Sequence, residues 1–420
     1  MRTVIPMIYL DNAATTKVAP EVIEAMMPYF TDEYGNAGTL YKLGRNAADA
    51  VQKAREQVSL LFGCSPDHII FTSGGSEGNN MVFKGLRHRL SGLGKKHLIV
   101  SAIEHDSVLR AAESLIEDGF YITYIKPDAD GKVRARDIED AIRPETGLVS
   151  VMYVNNEVGS VNDIKEIGDV CRVHGVLFHT DCVQAAGQYP IDVDRNCIDF
   201  ATISSHKIHG PKGVGAIYIR YTNFLDPNGA PIQPIIEPLI HGGHEQEYGY
   251  RGGTENVPGI VGLGQAVELA VANMKEDMTE VSIFKQRFYM AIRDALKELG
   301  ESDSCIHING QSVIEPGKTL NLRFDGVDAE TLLLTLDAKG ICVSAGSACR
   351  SREAVPSHVL TAMGLSEDEA RSSIRVSFSR YNQTDEVLLA GDTIARCAIA
   401  LRGIQTVAEG SGAVMDSENN

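Results

Sequence analysis

Four stretches of this chain carry residues whose type and placement could do chemistry. Lys207 sits in Ser204-Ser205-His206-Lys207-Ile208-His209-Gly210-Pro211-Lys212-Gly213, just past the apolar run Phe200-Ala201-Thr202-Ile203. An amine at the end of a buried strand, ringed by hydroxyls, histidines and glycines, is what a Schiff base needs. Asp181 closes the run Val176-Leu177-Phe178-His179-Thr180-Asp181. A carboxylate at the carboxyl edge of a sheet, where α/β proteins place ligands, can keep a ring nitrogen protonated and make that ring an electron sink. It could equally cap the Val183–Ala186 segment. Gln184, three residues on, could reach the same ligand. His105 closes Ser101-Ala102-Ile103-Glu104-His105. Its imidazole could stack on a flat ring and move protons, or simply find one hydrogen bond. Thr72-Ser73-Gly74-Gly75-Ser76-Glu77-Gly78 follows an apolar run and opens a helix-like stretch. Backbone amides there, with the Ser76 hydroxyl, make a phosphate cradle. A tight glycine turn is the plainer reading. No Gly-Lys-Ser/Thr follows, so it is not a nucleoside-triphosphate loop.

A thiol adds a fifth possibility. Ser344-Ala345-Gly346-Ser347-Ala348-Cys349-Arg350-Ser351 is small and polar, with Arg350 and Arg352 beside the cysteine. That setting favours an accessible, thiolate-prone sulfur on a mobile loop. The other seven of the eight cysteines are scattered and form no CxxC pair, which argues against a zinc ribbon or a dithiol. Cys342, between Ile341 and Val343, reads as a buried small hydrophobe. His206 and His209 lack nearby partners for a metal site.

These residues need elements to hold them. The 420 residues suit one large domain and a smaller one. Apolar runs at 69–71, 97–101, 121–125, 148–154, 176–180, 198–203 and 214–219 alternate with helix-like stretches such as Ala47–Leu61, Ser107–Glu117 and Ile164–His174. That alternation predicts an α/β domain with a mainly parallel sheet. Val257–Leu299 is helical in pattern. A strand at Thr319–Arg323, a helix at Ala329–Lys339, strands near 340–344 and Ile374–Ser379, and a helix from Thr384 to about 402 follow, giving a second, α+β domain. The large domain is set at 17–260. The small one takes 1–16 and 261–408, and 409–420 reads as a disordered tail. A net charge of −17 argues against non-specific nucleic-acid or anionic-membrane binding. No stretch reads as a membrane span, a signal peptide or a transit peptide, so a cytoplasmic protein is expected.

With these pieces together, the chain resembles the cysteine desulfurases of the NifS/IscS type, group I. They are a branch of the fold-type I pyridoxal-phosphate enzymes within the class V aminotransferase family. The resemblance runs from Tyr9-Leu10-Asp11-Asn12-Ala13-Ala14-Thr15-Thr16 to Arg375-Val376-Ser377. It also rests on Val154-Asn155-Asn156-Glu157-Val158-Gly159, His179–Gln184, Ser205–Gly213 and Gly346–Cys349 with Pro356–Leu360. It implies that Lys207 carries pyridoxal 5′-phosphate as a Schiff base and that Asp181 pairs with the ring nitrogen. His105 stacks on the ring and shuttles protons. Gln184 and Asn156 contact the ring-hydroxyl side. Gly75, Ser76, Ser204 and His206 hold the phosphate, with Thr254 reaching in from a second subunit of a homodimer. Arg375, with Asn156, binds the substrate carboxylate. Cys349 takes the sulfur of L-cysteine as a persulfide, leaving alanine, and passes it to an acceptor such as an iron–sulfur scaffold or a sulfurtransferase. A selenocysteine lyase and, in a different class, a slow cofactor-binding scaffold are the rival readings. The chain departs from the family at Asn36-Ala37-Gly38-Thr39-Leu40-Tyr41, where Asn-Pro-Ser-Ser-x-His is usual. It also departs at Gly242-Gly243-His244-Glu245, one residue longer, and at Ser76, where Thr is common. The family's C-terminal end often docks partners, which makes the acidic tail a candidate for that role.

Overall fold

A computed structural model describes residues 7–220, 235–243, 246–310, 312–346 and 355–415, with side chains up to residue 402. The described chain begins with β1 (Ile8–Tyr9), α1 (Pro20–Met26), α2 (Pro28–Thr31) and α3 (Lys42–Phe62). The α/β part then runs β2 (Ile69–Thr72), α4 (Gly75–Gly92), β3 (His97–Ser101), α5 (Asp106–Glu113), β4 (Tyr121–Ile125), α6 (Ala135–Ala141), β5 (Thr146–Ser150), α7 (Ile164–Val173), β6 (Leu177–Asp181), β7 (Phe200–Ser204) and β8 (Gly215–Ile219). The remainder is α8 (Val257–Glu298), β9 (Ile306–Asn309), β10 (Thr319–Phe324), α9 (Ala329–Asp337), β11 (Ile341–Cys342), α10 (His358–Ala362), α11 (Glu367–Arg371), β12 (Ser373–Ser377) and α12 (Thr384–Met415).

The central sheet has the order β2-β8-β7-β6-β5-β3-β4. Every pairing is parallel except those of β8, which runs antiparallel to both β2 and β7. The expected mainly parallel sheet is what the fold contains. β2, β3, β5, β7 and β8 are buried at every position, which is why they stand out in the sequence as unbroken apolar runs. Two apolar cores cover its faces. One includes α3, α7 and the first half of α8, and the other α4 and α5.

A third core gathers β9, β10 and β12 with α9, α12 and β1. α8 passes from the first core, up to Ala270, into this one, from Val281. The change of core therefore falls inside one helix, further along the chain than the expected boundary at 260. Three expectations need correction. α8 does contain a window long and apolar enough to cross a bilayer, and 50% of that window is buried inside the protein. The terminal helix does not stop near 402: α12 runs to Met415 and takes in the first part of the segment expected to be a disordered tail, while 416–420 lie outside the described residues. Cys342 is only partly buried.

β1 ties the third core to the Lys207 loop. It pairs in parallel with β11, and the chain then crosses to the central sheet's side. There Thr16 N–H donates to the His206 carbonyl and Ala19 N–H to that of His209, at 2.9 Å each. The Asp11–Thr16 segment thus lies along the loop that carries Lys207.

Candidate active site

The carboxyl ends of β6 and β7 open into a cavity of about 220 Å³. Ten of the twelve residues singled out from sequence line it: Gly75, Ser76, His105, Asn156, Asp181, Gln184, Ser204, His206, Lys207 and Arg375. Thr254 is exposed and does not line the cavity of its own chain. Cys349 lies outside the described residues. Its described flank is close to the site, because Ser344 N–H donates to the Arg375 carbonyl at 3.1 Å. Cys349 is five residues further on, a span of at most about 18 Å.

Lys207 ends a short 3₁₀ turn after β7. Its Nζ donates to the carbonyls of Ala13 (2.6 Å) and Ala14 (2.7 Å), both on the crossing segment. Gln184 Nε2 donates to the same Ala13 carbonyl at 2.9 Å. Of the roles weighed for Asp181, the capping one is visible in its contacts. Its Oδ1 accepts from Val183 N–H at 2.9 Å, closing the turn, and its Oδ2 accepts from Asn79 Nδ2 at 2.8 Å. His105 caps α5: Ser107 N–H donates to its Nδ1 at 3.1 Å, and Ser107 Oγ lies 2.8 Å from the same atom. His206, through Nδ1, is 3.1 Å from Thr15 Oγ1. Burial, reinforced by the charges of Lys207, Lys212 and Lys318, holds it down to about 4, so it is neutral near pH 7.

The anion side of the cavity is built from backbone. Gly74 caps α4 at φ 151°, a conformation L side chains rarely adopt. A Cβ on Gly75 would stand 2.7 Å from Val183 Cγ2. The first turn of α4 therefore presents bare amides beside Ser76 and Ser204, the geometry that binds phosphate at a helix start. Glu77 ties this turn to the 251–256 segment. Its Oε2 accepts from Ser73 N–H at 2.8 Å and its Oε1 from Arg251 Nε at 3.0 Å.

Arg375 comes from β12 and is almost wholly buried. Its Nη2 donates to Asp11 Oδ1 at 2.7 Å and its Nη1 to the Asn156 carbonyl at 3.0 Å, while Nε finds no partner. Gln184 Oε1 is another buried polar atom left without a partner. Buried orphan atoms cost free energy unless something fills the cavity and bonds them. An acceptor at Gln184, amides and hydroxyls at 75, 76 and 204, a carboxylate at 181 and an amine at 207 fit a phosphorylated pyridine aldehyde with a ring hydroxyl.

Several residues of the site carry little signal in the sequence. Asn79 and Ser107 link Asp181 to His105. Asn79 is one helical turn past Gly75, and Ser107 is two residues past His105, so each looks like an ordinary helix-start residue. Asp11 stands out only as part of a motif. Glu104 is fully buried, and burial together with the nearby Asp181 charge pushes its carboxyl well above the usual range, although Met152 N–H donates to it at 2.5 Å. Lys318 precedes β10 and donates from Nζ to the Lys207 carbonyl at 3.2 Å. A lone charge before Thr319-Leu320-Asn321-Leu322 is the only signal for it.

Comparison with known proteins shows the family. Residues 8–389 match the family described as aminotransferase class-V. The cysteine desulfurase IscS of Methanosarcina thermophila is 42% identical over 380 residues, covering 90% of this chain and 89% of the relative. A solved NifS-like protein superposes with a TM-score of 0.81 at 34% identity, covering 93% of this chain and 98% of the other. The structure of SspA in complex with cysteine gives a TM-score of 0.73 at 37% identity, covering 89% and 99%. The match takes in the crossing segment, the cradle, the Lys207 loop and Arg375 alike, and by it the chain belongs to the class-V aminotransferase family.

Proposed function

We propose that this chain is a pyridoxal-phosphate-dependent cysteine desulfurase, which converts L-cysteine to L-alanine and keeps the sulfur as a persulfide on Cys349. The observation that carries this is the gathering of Lys207, Asp181, His105 and Arg375 around one cavity whose floor is a helix-start anion cradle. Relatives named cysteine desulfurase and a relative solved with cysteine support the substrate. When bound, the cofactor supplies an electron sink for the bond broken next to the amino acid's Cα.

The chain's own residues do the rest. Gly75, Ser76, Ser204 and His206 hold the phosphate, with Thr254 of a second subunit completing the cradle in a homodimer. Asp181 holds the ring nitrogen's proton, Gln184 and Asn156 hold the ring-hydroxyl side, and His105 lies against the ring. Arg375 binds the substrate carboxylate through a planar fork already oriented by Asp11 and the Asn156 carbonyl. Lys207, bonded to two backbone carbonyls, is placed to move the Cα proton. The Cys349 thiolate attacks the substrate sulfur, an S–S bond forms as the C–S bond breaks, and the carbon keeps the electron pair and takes a proton. Cysteine plus thiol gives alanine plus persulfide, so no outside oxidant is needed. The persulfide sulfur then passes to an acceptor protein, such as an iron–sulfur scaffold or a sulfurtransferase. Seven described cysteines are free, which fits the reducing cytoplasm we assign to it.

The test is alanine and sulfide release from L-cysteine with a thiol reductant, comparing wild type with Cys349→Ser. Equimolar products from wild type and none from the variant are expected. Sulfide release that survives the substitution would make the enzyme a simple lyase and remove Cys349 from the reaction.

A further inference from the structure

Asp181 and His105 sit on different strand ends, yet one directed chain of hydrogen bonds joins them. Asn79 Nδ2 donates one hydrogen to Asp181 Oδ2 at 2.8 Å and the other to Ser107 Oγ at 2.9 Å. The amide cannot be reversed, because its oxygen would then face the Asp181 carboxylate. Asn79 Oδ1 is buried and has no partner, so both links run through the nitrogen. Ser107 Oγ, with one lone pair taken by Asn79, can direct its own hydrogen at His105 Nδ1, 2.8 Å away. Ser107 N–H also points at that Nδ1, at 3.1 Å. A hydroxyl can rotate, but a backbone N–H cannot become an acceptor, so Nδ1 must carry the lone pair.

We propose that Ser107 and Asn79 are positioning residues that lock His105 as a neutral imidazole protonated on Nε2, so that it serves the reaction as a hydrogen-bond donor rather than as a base. Protonating Nδ1 would set its N–H against the Ser107 backbone N–H, a donor that cannot turn. Proton abstraction then falls to Lys207. The same bonds fix Asp181 in the plane set by Val183 N–H and Asn79, so the electron sink and the stacking ring are oriented by one network. Among the described residues lining this cavity, the charged groups are Asp181, Lys207 and Arg375. His206 is uncharged near pH 7, and burial pushes Glu104, just before His105, toward its neutral form. None of these replaces Ser107 at Nδ1. The inference rests on the pyridoxal-phosphate reading for its place in the reaction, but the lock itself is a property of the protein.

The experiment is long-range ¹H–¹⁵N spectroscopy of the full chain, labelled with ¹⁵N-histidine and loaded with pyridoxal phosphate, with the His105 signals assigned by His105→Gln. In wild type, the expected pattern is a neutral ring with its proton on Nε2. Ser107→Ala removes the hydroxyl and keeps the backbone donor. Because Asn79 already donates to this hydroxyl, turning it to accept from a protonated Nδ1 would take its own hydrogen off the one acceptor it has among its described partners, so its removal should raise the proton affinity of His105 roughly three- to tenfold, the worth of one hydrogen bond. Ser107→Thr should restore the wild-type midpoint, which a general loosening of the fold would not do. A wild-type ring protonated on Nδ1, or a Ser107→Ala midpoint that stays put or falls, would overturn the inference. Absence of bound-cofactor absorbance in wild type would instead sink the cofactor reading, and the His105 spectrum would still decide the lock.

Discussion

Lys318 gives the sharpest test of the electrostatics in this fold. It is 7% exposed, and its only hydrogen bond from Nζ among the described residues goes to the Lys207 carbonyl. Burial first, then the charges of Lys207 and Arg375, pull it from 10.5 to about 7. A fall of that size means the buried ammonium costs about 5 kcal/mol relative to the solvated one. The sign follows from proton counting. Below pH 7 both folded and unfolded chains hold the proton and the folded state bears the whole cost. Between pH 7 and 10.5 the unfolded chain binds more protons, so stability rises with pH. Lys318→Met keeps the length and removes the charge. Cofactor-free Lys318→Met should therefore be more stable than wild type by roughly 3–5 kcal/mol at pH 6–7, with the gain shrinking steadily toward pH 10. Urea unfolding across that pH range reads it directly. In a Lys207→Ala background the gain should be smaller, because part of its cause is gone. A variant no more stable at pH 7, or a gain that does not change with pH, would refute the reasoning.

Other outcomes follow from single residues. Gly75→Ala puts a methyl 2.7 Å from Val183 Cγ2 and should weaken pyridoxal-phosphate binding tenfold or more (about 1.4 kcal/mol) with little change in the unfolding midpoint, read by absorbance titration. Glu104 is raised by burial, so the folded chain holds its proton while the unfolded chain loses it above pH 4.5. Wild-type stability should thus fall as pH rises from about 4.5, and Glu104→Gln should remove that part of the slope. Deleting residues 409–420 should slow sulfur transfer to an acceptor protein and leave alanine formation intact, and equal loss of both would reject a docking role for this end of the chain.

The sheet is legible in the sequence because most of its strands are buried on both faces and show as apolar runs. Its order is not. Nothing local in Gly215-Ala216-Ile217-Tyr218-Ile219 says that this strand inserts between β2 and β7 and turns against both. The chemistry-bearing side chains near strand ends can be read, since Asp181 closes an apolar run and His105 and Lys207 each follow one within four residues. What joins them cannot. Asn79 and Ser107 matter through bonds of 102 and 28 residues' separation, and such pairings leave no spacing rule in the sequence. β9 escapes notice for a related reason. Ile306-His307-Ile308-Asn309 is only four residues long and lies next to a polar loop. The terminal helix looks shorter in the sequence because Gly403, Gly410 and Gly412 resemble breakers, whereas α12 continues through them.

The crossing segment after β1 has a consequence for the order in which the molecule is made. Asp11 holds Arg375, 364 residues away, and Ala13 holds Lys207, 194 away. β1 itself waits for β11. The first described strand to leave the ribosome is thus among the last to find its place, and closing such distant contacts is slow. Until then the amine lacks the carbonyls that fix it and the arginine lacks its carboxylate. Capture of the cofactor in its final geometry is therefore a late event in biogenesis, and the colour of the bound cofactor can serve as a timer for completed folding.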